Sequence, residues 1–197
     1  MSLDYNNISK YISTFRLQKY EFVCSNHRGK SLKLYQTNLR ISQAFYPLLS
    51  LYEIVLRNAI NEELINYFKD PNWLKNQLTG FMSDPSNTYY NKRKKMYVPN
   101  EFLKNSVNEA HKKAGFSTLH HKVMAELKLG YWTALFDNAN SKVLAGRPMR
   151  IFSNLPSGTN RANVFDKITR IRDFRNRVYH NEPIIFTKEP RTANPVF

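Results

Sequence analysis

Apolar side chains along this chain recur mainly at steps of three and four, which marks helices rather than strands. The densest run is Leu48, Leu49, Leu51, Tyr52, Val55, Leu56, Ala59, Ile60 and Leu64, the spacing of a buried helix, and Asp70-Pro71-Asn72 closes it. A shorter helical stretch over 31–43 leads into it through Pro47. A first helix is expected over 9–23, where Ile12, Phe15, Leu17, Tyr20 and Val23 are loosely periodic. The polar break Ser25-Asn26-His27-Arg28-Gly29-Lys30 separates these two stretches.

Residues 79–100 lose the pattern. Gly80, Pro85, Asn87 and Pro99 surround Lys92-Arg93-Lys94-Lys95, and a long exposed loop with a basic patch is expected there. A helix over 100–113 stops at Gly115, and another over 118–136 carries Leu119, Val123, Leu127, Trp132 and Leu135. Gly146, Pro148, Pro156 and Gly158 mark a further loop. The last helix spans 160–180, with Thr159 or Asn160 as its N-cap and Pro183 beyond its end. The tail to Phe197, with Pro190 and Pro195, reads as extended. The fold class is all-α, and the whole of 1–197 reads as a single helical domain with no internal repeat.

Composition narrows the setting. One cysteine, Cys24, excludes an internal disulfide framework and a cysteine-based zinc site. No apolar run approaches the roughly 18 residues of a membrane span, and the polar start Met1-Ser2-Leu3-Asp4-Tyr5 lacks the order of a secretion signal. A cytoplasmic location is expected. The charge is the strongest compositional feature: 30 Lys and Arg against 15 Asp and Glu, a net of +15. Such an excess favours polyanions through counterion release, and nucleic acid is the commonest of these inside cells. A membrane surface fits less well, because no helix joins a Lys-rich face to a strongly apolar one. The excess is uneven. Residues 41–90 hold 3 basic and 5 acidic side chains, whereas 140–197 hold 11 basic and 4 acidic.

The basic end also carries the most informative segment, Arg175-Asn176-Arg177-Val178-Tyr179-His180. The apolar stripe of the last helix runs Val164, Ile168, Ile171, then Arg175, then Val178, so an arginine occupies a place where the pattern asks for an apolar residue. A charge there is costly unless something compensates it. Asn176 and His180 are four apart and share a face, which lets the amide orient the ring. Arg175 and His180 lie about 140° apart at ~100° per residue, so only the long arginine side chain brings them together. Arg172 and Tyr179 flank the group, and Asp173 with Arg177 reads as a surface ion pair. The residues leave two readings open. An anion clamp, an orienting amide and a titratable proton carrier are the parts for cutting a phosphodiester without a metal. Alternatively, His180 is a helix-end residue favoured by the macrodipole and Arg175 pairs with a buried carboxylate, Glu53 being the best candidate.

The motif resembles the Arg-polar-x-x-x-His motif of the HEPN superfamily. More narrowly, the chain resembles Abi-like bacterial proteins of the abortive-infection AbiD/AbiF type. The supporting segments are Leu51-Tyr52-Glu53-Ile54-Val55-Leu56-Arg57-Asn58, Glu126-Leu127-Lys128-Leu129-Gly130-Tyr131-Trp132-Thr133-Ala134-Leu135-Phe136 and 171–183, in order on a helical chain. The resemblance implies a HEPN-like helical bundle over about 30–185, with a long basic loop, an added N-terminal helix and an added tail. It implies a metal-independent endoribonuclease, with no cofactor, that leaves 2′,3′-cyclic phosphate and 5′-hydroxyl ends. The site would be composite, formed by two facing copies in a homodimer. His180 would move a proton, Arg175 would hold the scissile phosphate and Asn176 would fix geometry. RNA contacts would come from Arg57, Asn58, Lys92, Arg93, Lys94, Lys95, Arg172 and Tyr179. A phage-defence or toxin role, with an antitoxin protein or antitoxin RNA as partner, belongs to the same resemblance. The alternative on the same fold is a catalytically silent RNA-binding or antitoxin-type protein.

Other features read more plainly. The adjacent His120 and His121 have no carboxylate at ligand spacing. Glu53 and Arg57, four apart, suit an internal ion pair, the alternative being that Arg57-Asn58 widens the cleft beside Arg175. Trp132 and Phe136 on an apolar stripe read as core. Ser157-Gly158-Thr159-Asn160 lacks the pattern of a phosphate loop. No helix pair has the turn and spacing of a DNA-binding helix-turn-helix.

Overall fold

A computed structural model describes residues 5–116 and 119–186. Among them the chain is mostly helical, with α1 (Tyr5–Ile12), α2 (Thr14–Val23), α3 (Arg28–Phe68), α4 (Trp73–Asn76), α5 (Phe102–Lys113), α6 (His120–Glu126), α7 (Leu129–Ala134), α8 (Asn138–Val143) and α9 (Arg161–Tyr179). Two antiparallel strands, β1 (Thr88–Asn91) and β2 (Met96–Pro99), form one hairpin, and 3₁₀ turns cover Phe81–Ser83 and Arg147–Ile151. The expected helix start at Thr118 and the tail beyond 186 lie outside the described residues. No helix among the described residues is long and apolar enough to cross a membrane.

Several expected elements are corrected. The first helix is two: the chain breaks at Ser13, whose φ is +71° and whose hydroxyl caps α2 by accepting from the Arg16 amide. The stretches on either side of Pro47 are one helix of 41 residues. Proline removes one backbone hydrogen bond at a cost of about 3 kcal/mol, which burial along the helix offsets: Tyr35, Leu49, Leu56, Ile60 and Leu64 are all buried. The expected 118–136 helix is split at Leu127–Lys128, both extended. The loop after it contains α8. Residues 79–100 are not an irregular loop, because Thr88↔Pro99 to Asn91↔Met96 pair in register and put the four basic residues in a turn.

The chain forms two compact units: Met1–Leu51 with Asp173–Phe197, and Tyr52–Arg172. In the first, Leu17, Tyr20 and Tyr35 form a small core, with Tyr20 edge-on to Tyr35 at 5.3 Å and tilted on Phe186 at 5.6 Å. Burial, then the neighbouring Tyr35, raises the Tyr20 phenol well above its ordinary pKa. In the second unit the core is larger, built from Leu56, Ile60 and Leu64 of α3 with Trp73, Leu103, Val107, Trp132, Phe136, Val164 and Ile168. The expectation that Trp132 and Phe136 are core side chains holds, both being fully buried. Arg147 lies over Tyr67 at 4.4 Å and reaches Glu63 at 3.7 Å, and Arg161 donates to the Phe136 carbonyl at 2.8 Å.

His120 is a packing residue of this second unit. Its Nε2 is 2.8 Å from Asn61 Oδ1, which also accepts from the buried Trp73 indole at 3.0 Å. Burial favours the neutral imidazole and lowers its pKa from the usual 6.5, against the pull of Asp70. The unfolded chain therefore binds this proton first as pH falls, so stability is lost below about pH 6.5. Urea midpoints at pH 7.5 and 5.5 are expected to differ for the wild type and to differ less for His120→Gln, whose amide keeps a donor toward Asn61.

Candidate functional site

The end of α9 is built by a local backbone rule. Asn181 takes the left-handed conformation, φ +50°, and two bonds close a Schellman motif: Glu182 N to Arg177 O at 2.9 Å and Asn181 N to Val178 O at 3.1 Å. Asparagine tolerates that conformation better than most residues. His180 is thereby the last residue held by the helix ladder, its amide donating to Asn176 O at 3.0 Å, and its side chain is exposed. At the other end Asn160 and Asn163 exchange side-chain-to-backbone bonds of 3.0 Å, the cap expected from the sequence.

Three side chains of the first unit pin the segment that leaves the helix. Arg16 of α2 donates to the His180 carbonyl at 3.3 Å. Arg177 donates to the Pro183 carbonyl, and its Nε lies 3.9 Å from the Glu182 carboxylate. Asn38 of α3, 0% exposed, donates to the Glu182 carbonyl at 3.1 Å and accepts from the Ile184 amide at 2.8 Å. Its amide thus pairs with the chain as another peptide group does in a ladder.

The guanidinium of Arg175 is placed by aromatic stacking. Its Cζ is 3.8 Å from the centre of the Tyr179 ring, and Tyr46 stacks on that ring at 4.4 Å and 15°. Two groups at these separations cannot share one face, so Arg175 and Tyr46 cover opposite faces of Tyr179. Beside them Phe45 meets Phe174 edge-on at 5.1 Å. Cation–π and ring–ring contacts contribute about 0.5–1.5 kcal/mol each. They help an arginine to sit on an apolar stripe, since its flat face is covered by a ring. Arg175 Nη1 also donates to Asn176 Oδ1 at 3.4 Å. The Asn176 amide oxygen therefore turns to Arg175, where the sequence pointed it at His180.

Arg175, Asn176, Tyr179 and His180 thus come together in the first unit. The remaining candidates lie in the second. Arg172 is half-buried, with Nη1 3.5 Å from the Thr133 hydroxyl of α7. Arg57 is half-buried, its Nε enclosed without a hydrogen-bond acceptor, while Asn58 is exposed. Lys92, Arg93, Lys94 and Lys95 are all exposed in the β1–β2 turn. Among the described residues no group of three or more His, Cys, Asp or Glu is placed to hold a metal. Sequence reasoning missed Tyr46, Asn38 and Arg16. Asn38 falls on the buried face of α3 with Ser31, Tyr35 and Ser42, a stripe too polar to stand out.

Replacing Asn38 by leucine keeps its bulk and removes both bonds, leaving a buried carbonyl and amide unpaired. The expected cost is about 1–3 kcal/mol. Hydrogen exchange checks this locally: the Ile184 amide is expected to exchange faster in Asn38→Leu, with the amides of 164–168 unchanged.

Comparison with protein-family models, with curated proteins and with solved structures finds no match, so the reading of this site rests on its own residues.

Proposed function

We propose that the protein is a metal-independent endoribonuclease whose reaction is carried out at the end of α9, on a HEPN-like helical bundle of the Abi-like type. The observation that carries the reading is a stacked, half-buried Arg175 and an exposed His180 at one pinned helix end, in a chain of net charge +15. The Arg-polar-x-x-x-His resemblance and the mostly helical fold support it. In the reaction the 2′-hydroxyl of RNA attacks the adjacent phosphorus and the P–O5′ bond breaks. His180 takes the hydroxyl proton or gives one to the leaving oxygen, and Arg175 holds the phosphate oxygens as charge builds on them. The products are a 2′,3′-cyclic phosphate and a 5′-hydroxyl, and no redox partner or metal enters the balance. A role in phage defence or as a toxin follows the same resemblance, and the composition suits a cytoplasmic setting.

The site is completed by a second copy. Leu48 and Leu51 of α3 are 63% and 58% exposed, three residues apart on one face, the kind of apolar surface that marks an interface rather than a solvated helix. A two-fold pairing brings a second Arg175 and His180 to the same cleft. A second reading, a silent RNA-binding or antitoxin-type protein, draws on one observation: the Asn176 side-chain oxygen, expected to orient His180, accepts from Arg175.

Purified protein incubated with RNA in excess EDTA is expected to cut it, and both Arg175→Ala and His180→Ala are expected to lower the rate about a hundredfold or more while RNA affinity persists. Binding without cleavage by the wild type would move the weight to the silent binder. Sedimentation is expected to show a dimer at micromolar concentration, and Leu48→Glu with Leu51→Glu a folded, inactive monomer. A monomeric wild type that still cuts RNA would remove the composite site.

A further inference from the structure

The β1–β2 hairpin is more than a basic loop. Asn91 builds the turn, its Oδ1 accepting from the amides of Arg93 and Lys94 at 3.0 Å each, and Lys95 closes it with φ +51°. Behind this turn the strands expose three tyrosines and a methionine: Tyr97 is 69% exposed, Tyr90 51%, Tyr89 48% and Met96 55%. Tyr90 and Tyr97 are directly opposite across the strands, with ring centres 5.4 Å apart at 67°. Successive residues of a strand face opposite sides, so Tyr89 lies on the other face with its partner Val98. No acidic residue falls between Thr88 and Pro99.

A two-stranded hairpin is marginal by itself, and this one is held at its root. Asn100 N donates to Asn87 O at 2.8 Å, and the buried Asn87 amide donates to Asn140 Oδ1 at 2.8 Å. Asn140 is fixed in turn by the Asp137 carboxylate at 2.9 Å and the Ala134 carbonyl at 3.0 Å. A rigid root under a solvated tip keeps four cations and three aromatic rings exposed at little further entropic cost on binding.

We propose that the hairpin Thr88–Pro99 is a grip for single-stranded nucleic acid, with Tyr97 and Tyr90 stacking on unpaired bases and Lys92–Lys95 holding the flanking phosphates. The identity of the strand as RNA rests on the function proposed above; the grip itself does not. Cations alone bind any polyanion and read nothing. Stacking adds a preference, because the faces of bases inside a duplex are covered by their neighbours and those of a single strand are not. The hairpin would thereby direct the enzyme to unpaired RNA without sequence choice.

The test uses the full chain and a fluorescently labelled 12-nucleotide 2′-O-methyl RNA, which cannot be cut, as a single strand and as a duplex, titrated over a range of KCl concentrations. Tyr97→Ala is expected to weaken single-strand binding about tenfold, to leave duplex binding and the salt slope unchanged, and to be rescued by Tyr97→Phe. Lys92→Ala with Lys94→Ala is expected to lower the salt slope by about one or two for both forms. Equal loss on single strand and duplex, no loss on either, or a changed sedimentation coefficient in place of changed binding would overturn the grip. Failure of the nuclease reading appears separately, as uncut natural RNA with this binding difference intact.

Discussion

One buried side-chain amide holds together what is chemically interesting in the first unit. Asn38 makes two bonds to the backbone of Glu182 and Ile184, and without them the chain leaving α9 has no ladder partner. A buried amide left unpaired costs more than the pair contributes when made, so the contact is specific as well as stabilising. It holds the chain just beyond the Schellman end of α9, and so the course of the segment that follows His180. Arg16 and Arg177 act on the same segment from α2 and from α9 itself. The Arg175–Tyr179–Tyr46 stack helps set the guanidinium through planar contacts that fix an orientation.

Much of this was legible in the sequence, for physical reasons that differ by element. The steps of four and three along α9, its Asn160 cap and the proline beyond its end are local signals, and the helix fell within a residue of its expected bounds. Arg175 was identifiable because a charge on an apolar stripe demands compensation. What compensates it within the first unit is Tyr179, four residues on along the same helix, and behind it Tyr46 from α3, more than a hundred residues earlier. No spacing rule connects that last pair. Pro47 misled in the opposite direction, since its local cost is outweighed by burial along α3, a tertiary effect. The hairpin looks like a loop in the sequence because Gly, Pro and Asn crowd its ends, while its two strands are only four residues each and too exposed to alternate in polarity.

Charge and aromatic surface recur together in both units, but in different forms. At the end of α9 the arginine is stacked and half-buried, and under the proposed function it holds a single phosphate in a defined place. At the hairpin tip the cations are solvated and numerous, which suits a backbone in many places. Under the proposed function the first arrangement does chemistry and the second supplies affinity. The salt dependence of binding then belongs to the hairpin and the rate of cleavage to α9.

The reaction assigned to α9 stands or falls on the 2′-hydroxyl as nucleophile. The direct measurement compares an RNA oligonucleotide with the same sequence carrying single 2′-deoxy substitutions, scanned along the strand, in excess EDTA. Loss of cutting only at the bond beside each deoxy sugar, with cuts elsewhere ending in cyclic phosphate, is the expected result. Cutting beside deoxy sugars at the rate of the all-RNA strand would contradict it, since the chemistry would then need an external nucleophile that neither Arg175 nor His180 was assigned to activate.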